Sequence, residues 1–414
     1  MRKRTIRLAS TSLRFTALAA RFLLIFALAM FLPPTEVGLY GLVAATATYA
    51  VYALGMDFYT YSTREILESD RSTWRTKLTS HAAILGTIAL IATPVFIGIG
   101  ISTLLPWSIV GWLATIAISE QWAQDIDRTL IALSKQFAAS VVILVRQAAM
   151  PLTVVIMFAA SSDLRKIEWV FGSWTVFNVV AIILGLLFLH HTTPRGRLRV
   201  DWAWVRKGLV VALPFLGGTL LLRLLFTLDR QIVAYFDGLD VLGAYVLAVT
   251  ISGGLSSVIA VGIMQFNYPS LITAAREKSY IDFRQIMRSI TWQTTIVSGA
   301  AVLTAIVSHS WISTWFGQNV YVEYSWAIPA SMIASALYNI SLIPHYGLYA
   351  FHKDRTIFAS TAISVSMFIA CLAVLISLTN NSVLSVIVAL CVANTTLLVV
   401  KYATYTRSRR AWAR

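Results

Sequence analysis

The stretch that decides the fold is LRFTALAARFLLIFALAMFLPPTEVGLY, residues 13–40, an apolar segment of membrane-spanning length that contains two arginines. Arg14 and Arg21 are seven residues apart, and Arg7 precedes Arg14 by the same interval. Seven residues make about two helical turns, so the three guanidinium groups share one face of the predicted helix. A charge at bilayer depth costs about 2.5 kcal/mol or more, so it usually faces a protein interior or a water-filled cavity.

The composition of the whole chain is that of a polytopic membrane protein. Of its 414 residues, 58% are hydrophobic and 12% are charged, about half the charged share of a soluble domain. The net charge of +15 is explained by basic cytoplasmic loops, and no nucleic-acid-binding motif is present, so we expect no nucleic acid partner. Cys371 and Cys391 both lie in apolar runs and predict neither a disulfide nor a metal site.

The apolar runs predict an all-α protein with about twelve transmembrane helices. They lie near residues 13–33, 37–57, 80–104, 107–123, 137–160, 168–189, 208–227, 241–264, 291–309, 325–350, 356–378 and 382–403. With the N-terminus inside, 26 of the 33 Lys and Arg fall in inner segments and only Arg165, Lys166 and Arg230 in outer ones. This bias predicts that both termini are cytoplasmic. Because Arg21 interrupts the apolar region that a signal peptide would need, we expect the first helix to be retained.

The second half of the chain repeats features of the first half. The segment PTEVGLYGLVAATATYA at 34–50 resembles LDVLGAYVLAVTISGGL at 239–255, and this alignment places Gly38 opposite Gly243. Both segments follow a turn and open a span rich in small residues.

The repeat also relates two arginines in the first helix of each half. At the same offset, Arg223 is staggered by about one helical turn from the position that matches Arg21. We therefore expect two six-helix lobes of like orientation, 1–200 and 201–414. Transporters built from such repeats bind substrate near the membrane midplane, at the interface of the repeats.

Short motifs recur along both halves of the chain. They are Pro33 to Tyr40 (PPTEVGLY), Leu54 to Asp57 (LGMD), Arg64-Glu65, Leu228 to Val233 (LDRQIV), Leu242 to Tyr245 (LGAY), Tyr268-Pro269 and Trp315 to Gly317 (WFG). In their order and spacing they resemble the Wzx-type polysaccharide and O-antigen flippases of the multidrug/oligosaccharidyl-lipid/polysaccharide (MOP) superfamily, which is MATE-like. The resemblance covers nearly the whole chain.

The resemblance implies a multi-pass transporter of the cytoplasmic (inner) membrane rather than an enzyme. It implies two six-helix lobes around a central cavity, and alternating access. The expected substrate is an oligosaccharide linked to a polyprenyl diphosphate of the undecaprenyl type, a unit of O-antigen (lipopolysaccharide), capsule or exopolysaccharide. Expected partners are this lipid-linked oligosaccharide, membrane lipids and other polysaccharide assembly proteins. No cofactor is expected.

The candidates for binding the diphosphate or the glycan are the four arginines within predicted spans, Arg14, Arg21, Arg146 and Arg223. Arginine binds phosphate through charge-assisted, often bidentate hydrogen bonds and stays ionised when partly buried. Each candidate except Arg21 has a specific alternative role. Arg14 lies near enough to the helix start to reach the membrane interface. Arg146 precedes Pro151, which breaks a backbone hydrogen bond, so its side chain could instead bond the carbonyls that the proline leaves free. Arg223 has Asp229 as a potential ion-pair partner.

The candidates for gating or ion coupling are Asp57, Arg64, Glu120, Asp125, Asp229 and His345. The acids Asp57, Glu120 and Asp125, with Asp127, fall at the inner ends of two spans, where Arg64 and Arg128 offer salt bridges. Structural pairing and ion coupling are both open for them, and for Asp229 beside Arg230. His345 fits either a proton carrier or a packed neutral side chain.

Two other functions are open. A MATE-like antiporter for drugs or other cations would need buried acids, whereas the deepest charges here are arginines. A membrane glycan polymerase or ligase would need a sizeable outer loop with catalytic residues, and the outer loops are short. No phosphate-binding loop of the Gly-x-x-x-x-Gly-Lys type is present, which favours transport without ATP hydrolysis.

Overall fold

The computed structural model describes residues 2–102, 106–194, 198–379 and 381–412, without the side chains of residues 2–12, 14, 15, 215 and 411. Its helices in the first half are α1 (Arg2–Phe31), α2 (Pro34–Gly55), α3 (Phe58–Glu68), α4 (Trp74–Ile101), α5 (Trp107–Ala132), α6 (Gln136–Leu144), α7 (Met150–Ala160) and α8 (Ile167–Thr192). A π-helical turn, Val145–Ala149, joins α6 to α7, and short 3-10 turns cover Arg71–Thr73 and Ser162–Leu164.

The second half continues in the same way. Its helices are α9 (Trp202–Leu225), α10 (Leu228–Phe236), α11 (Gly238–Ile259), α12 (Gln265–Arg276), α13 (Tyr280–Trp315), α14 (Asn319–Glu323), α15 (Ala327–Ala350), α16 (Asp354–Leu378) and α17 (Ser382–Trp412). A second π-helical turn, Ala260–Met264, joins α11 to α12. The described residues contain no β-strand.

The all-α polytopic fold expected from the sequence is confirmed, because each of the twelve expected spans falls on a long helix or a continuous helical run. Nine helical segments of the described residues are long and apolar enough to cross a membrane, and the bent pair between Trp202 and Phe236 makes up to ten. The two remaining spans lie on α1, whose apolar part is Thr16–Phe31, and on α5, which carries buried acids. The fourth span is longer than expected, since α5 continues to Ala132.

Two local breaks in the first half follow from residue chemistry. Pro33 separates α1 from α2, and Pro34 begins α2, a position where a helix needs no backbone N–H. Met56 and Asp57 both have positive φ values, 51° and 48°. This left-handed pair separates α2 from α3, and aspartate is among the few residues that tolerate the conformation.

The chain forms two compact units, and each is described by itself. The first comprises Met1–Leu32 and Val43–Leu220, and the second comprises Pro33–Leu42 and Leu221–Arg414. These units differ from the expected lobes, 1–200 and 201–414, in two segments. The start of α2 belongs to the second unit, and most of α9 belongs to the first. The expected lobe boundary remains a prediction.

The first unit has a core in which aromatic side chains hold α9 in place. Phe58 and Tyr61 of α3 pack against Trp204 of α9, with ring centroids 5.4 and 5.2 Å apart. A side chain in place of Gly208 would collide with the same two rings of α3. This contact explains why α9 belongs to the first unit.

The second unit is built around α15, which is flanked by α11, α13 and α17. Buried amides join these helices. Asn394 of α17 donates its side-chain N–H to the Ala334 carbonyl at 3.0 Å, and Asn339 donates to Ser256 of α11 at 2.9 Å. Amides in an apolar interior are costly unless they are bonded, so these contacts fix the register of the helices.

Candidate functional site

A cluster of buried charges in the first unit is centred on Arg146. One terminal nitrogen of its guanidinium bonds Glu120 Oε1 at 2.9 Å, and the other bonds Asp127 Oδ2 at 3.0 Å. Arg146 is only 5% exposed. Trp174 of α8 donates its indole N–H to the second Glu120 oxygen at 3.1 Å. Together with Trp174, the two acids and the arginine therefore form a network that joins three spans.

The position of Arg146 follows from the sequence around Pro151. A proline lacks the N–H that would bond the carbonyl four residues earlier. The chain widens into the π-helical turn Val145–Ala149 just before that proline. Such turns often occur at functional sites. The wide turn carries Arg146, and Ala148 in the same turn packs against Ala17 and Ala20 of α1.

A second group of polar side chains surrounds Asp125, which follows Glu120 in the C-terminal part of α5. Asp125 accepts a hydrogen bond from Gln121 at 2.8 Å and lies 3.3 Å from Arg128. His81 of α4 places its Nε2 3.4 Å from the same carboxylate. The Arg128 guanidinium stacks 3.9 Å from the centre of the Tyr59 ring. Asp125 is therefore already compensated by neighbouring donors.

The arginines of α1 differ in what the structure describes. The side chain of Arg14 lies outside the described residues. Arg21 is exposed on α1, and its positive charge acts on the Glu120 carboxylate. It lies ten residues before the end of the helix at Phe31, roughly 15 Å along the axis. Arg21 therefore lies within the apolar part of α1 and close enough to the Arg146 cluster to act on Glu120, a relation that its sequence position alone does not indicate.

Arg223 lies in the second unit and is half-buried. Its charge acts on the phenol of Tyr338 in α15, whose ring packs edge-on against Phe226 at 5.1 Å. Asp229, the alternative partner of Arg223, bonds elsewhere. It accepts a hydrogen bond from the Tyr245 hydroxyl at 3.0 Å and lies 3.1 Å from Arg230. Asp229 is thus part of a structural contact between α10 and α11.

The other gating candidates are more scattered. Asp57 is buried in the left-handed turn after α2, and Arg64 is exposed on α3. Neither forms an ion pair within the described ranges. His345 of α15 lines a cavity of about 310 Å³ together with Tyr268 and Tyr346.

The predicted site residues therefore fall into two groups. Arg21, Glu120 and Arg146 lie together in the first unit. Arg223, Asp229 and His345 belong to the second unit.

Several residues of the site were not expected from the sequence. They are His81, Trp174 and Asn178. The side-chain amide of Asn178 donates to the hydroxyl oxygen of Ser119, the residue before Glu120, at 3.1 Å. Trp174 is 54 residues from Glu120, so no helical spacing links the two. Within the described part of the chain, no group of three or more His, Cys, Asp or Glu residues is arranged to hold a metal ion.

Comparison with known proteins gives one family match and several structural ones. The family model described as "Polysaccharide biosynthesis protein" matches residues 8–274. No match is found among curated protein sequences. An inward-facing multidrug resistance MATE family transporter of the MOP superfamily has a TM-score of 0.73 at 12% identity, over 95% of both chains. The MATE multidrug transporter DinF-BH has a TM-score of 0.65 at 14% identity, over 97% of this chain and 96% of its own.

The two kinds of match carry different conclusions. At 12% and 14% identity, the structural matches establish the fold, which is that of MATE transporters. The family model spans more than half of the chain. The chain therefore belongs to the polysaccharide biosynthesis protein family, and its fold is that of MATE transporters.

Proposed function

We propose that this protein is a flippase that carries a polyprenyl-diphosphate-linked oligosaccharide across the cytoplasmic membrane by alternating access. The carrier lipid is proposed to be of the undecaprenyl type, and the glycan a unit of O-antigen, capsule or exopolysaccharide. The observation that carries the proposal is Arg21, an exposed arginine within the apolar part of α1. A diphosphate that crosses a low-dielectric layer needs such a donor.

The proposal assigns different roles to the four arginines in the spans. Arg21 contacts the diphosphate, and Arg223 is a second contact in the second unit. Arg14 extends the path toward the cytoplasmic end of α1. Arg146 has a structural role, because both of its terminal nitrogens bond acids of α5. Its cluster interacts with Arg21 through the charge of Glu120.

A cation antiporter is the main alternative. The pairing of the described acids of α5 with arginines argues against it. A buried carboxylate attracts a cationic substrate when it lacks a cationic partner within the protein. Glu120 and Asp127 are paired with Arg146, and Asp125 is paired with Arg128. Efflux of a cationic dye by membrane vesicles that contain this protein, inhibited by Glu120→Gln, would favour the antiporter.

The proposal is tested by complementing a deletion strain with variants of Arg21. Arg21→Ala should abolish surface glycan and cause the lipid-linked oligosaccharide to accumulate, because the diphosphate loses its donor. Arg21→Lys should restore part of the export, since it keeps the charge and loses the bidentate geometry. Arg199→Ala, which changes an exposed arginine outside the helices, is the matched control. Full export by Arg21→Ala at normal membrane levels would overturn the proposal.

A further inference from the structure

The second unit contains a groove between α13, α15 and α17 that has no role in the proposed transport. Its volume is about 1310 Å³. Most of its wall is apolar, with Met287 from α13, Ile343 from α15, and Leu398 and Val399 from α17. A cavity of this kind on the side of a membrane protein is shaped for a hydrocarbon chain.

One end of the groove is strongly basic. Arg284 and Arg288 lie about one helical turn apart on α13, and Arg409 lines the same groove from α17. Within the described residues, none of the three forms an ion pair with a carboxylate. The Arg409 guanidinium is held 5.8 Å from the centre of the Tyr405 ring. Three arginines without an acid at one end of an apolar groove complement an anion that carries an apolar tail.

The rim of the groove is exposed where a bilayer would contact it. Trp292 of α13 is 68% exposed, and Tyr402 and Val399 of α17 are 58% and 60% exposed. Trp and Tyr side chains favour the membrane–water interface, where one end of the ring is apolar and the other is wet. Beyond Trp292, α13 continues with exposed apolar residues such as Leu303 and Val307. The arginines therefore lie at headgroup level and the apolar wall at the level of the acyl chains.

We propose that this groove binds an anionic diacyl phospholipid of the cytoplasmic leaflet. The headgroup phosphate is held by Arg284, Arg288 and Arg409, and one acyl chain lies along the wall between α13 and α17. Basic pockets between spans at the cytoplasmic side are a recurring form of anionic lipid recognition. The distribution of Lys and Arg predicts that these arginines are on that side. The lipid joins the inner ends of two spans, and its binding does not depend on the transported substrate.

The chain offers a matched control in a separate cavity of the second unit. That cavity contains Arg276, Lys353 and Arg407. It has three basic residues as well, but aromatic rings such as Phe351 and Trp412 form much of its wall. Replacing these three basic residues changes the net charge by the same amount and leaves the proposed groove intact.

The test measures lipid binding by native mass spectrometry of the full-length protein released from a neutral detergent. Phosphatidylglycerol should bind the unmodified protein in preference to phosphatidylcholine. The triple variant R284Q/R288Q/R409Q should bind phosphatidylglycerol at least about tenfold more weakly, because three charge-assisted contacts are lost. The triple variant R276Q/K353Q/R407Q should bind it as the unmodified protein does.

Several outcomes would overturn the proposal. These are equal weakening in both triple variants, equal binding of the two phospholipids, and preferential binding of undecaprenyl phosphate in place of phosphatidylglycerol. Inorganic phosphate should not displace the lipid, since the apolar wall contributes to binding. If the first triple variant does not fold, the single variant Arg288→Gln is measured instead and should show a smaller loss. None of these outcomes bears on Arg21, so the proposed transport function is tested separately.

Discussion

At the scale of single residues, the charges of α5 show how this protein places acids in a membrane. A buried ion pair gains little over an apolar core, but removing one partner leaves an uncompensated charge. Glu120 and Asp127 both depend on Arg146. The network therefore fixes the packing of α5 against the π-helical turn, while Arg21 remains exposed on α1.

This dependence predicts a large effect of Arg146→Met. The variant should lose about 3–5 kcal/mol of stability, the usual cost of breaking a buried pair from one side. The measurement is thermal unfolding of the purified protein in detergent. The compensated variant R146M/E120Q/D127N should recover much of the loss, because no charge then remains unpaired. An unchanged melting temperature for Arg146→Met alone would show that the cluster does not stabilise the fold.

A second prediction concerns Glu65 on α3, which lies outside the spans. The hydrogen bond donated by Lys77 Nζ, at 3.1 Å, is the main reason that the pKa of Glu65 is lowered from 4.5. A lowered folded-state pKa stabilises the protein above the unfolded value, and this contribution disappears as pH falls through the folded value. Its size should be below about 1 kcal/mol, because the pair is near the surface.

Glu65→Gln provides the measurement for this pair. The melting temperature of the unmodified protein should exceed that of the variant at a pH of about 6 to 7. The difference should shrink once the pH falls below about 4.5 and vanish at lower pH. A difference that grows on acidification would contradict the assigned sign.

At the scale of elements, the sequence repeat acquires a physical meaning. Gly38 of α2 and Gly243 of α11 were aligned as equivalent positions, and the structure brings the first turns of these two helices into backbone contact. A Cβ on Gly38 would collide with the Leu239 carbonyl, and a Cβ on Gly243 with the Pro34 carbonyl. Both glycines are therefore required by the close approach of two helices, and the repeated motif marks that crossing.

Gly243→Ala should therefore destabilise the protein by about 1–3 kcal/mol, since the backbone atoms in its way cannot rotate aside. Gly299→Ala in α13 is the matched control, because no atom lies within 4 Å of its added Cβ. The control should be neutral or gain up to about 1 kcal/mol from better helix propensity. Thermal unfolding in detergent compares the two variants. Equal melting temperatures would mean that the helix crossing adapts to a methyl group.

The elements were predictable from the sequence to a greater extent than the site. Apolar runs of spanning length identify helices because the bilayer requires the backbone to bond within each segment. The ends were less certain, as with α5, which extends past the expected span and carries Asp127. The partners of its acids were not predictable, because Arg146 and Trp174 reach them from other spans. Arg128 was expected near Asp125 and bonds it, whereas Arg64 does not pair with the described acids.

At the scale of the whole molecule, the basic residues predict an orientation in the membrane. The Lys and Arg count of 33 against 18 acidic residues gives the net charge of +15. In the arrangement of twelve spans expected from the sequence, most of these basic residues are predicted on one side, and cytoplasmic loops collect positive charge. The proposed lipid groove and the proposed entry of an anionic substrate both depend on this orientation, since the cytoplasmic leaflet attracts basic segments.

The orientation is tested by reporter fusions in a bacterial host. Green fluorescent protein fused after Arg414 should be fluorescent, because it folds only on the cytoplasmic side, and alkaline phosphatase at the same position should be inactive. Alkaline phosphatase fused after Asp163, between α7 and α8, should be active, because this loop is predicted to lie on the outer side. A fluorescent protein fused after Arg199 is the control for the inner side and should again be fluorescent. Active phosphatase at Arg414 would contradict the cytoplasmic C-terminus, and with it the placement of Arg284, Arg288 and Arg409 at the anionic leaflet that the lipid proposal needs.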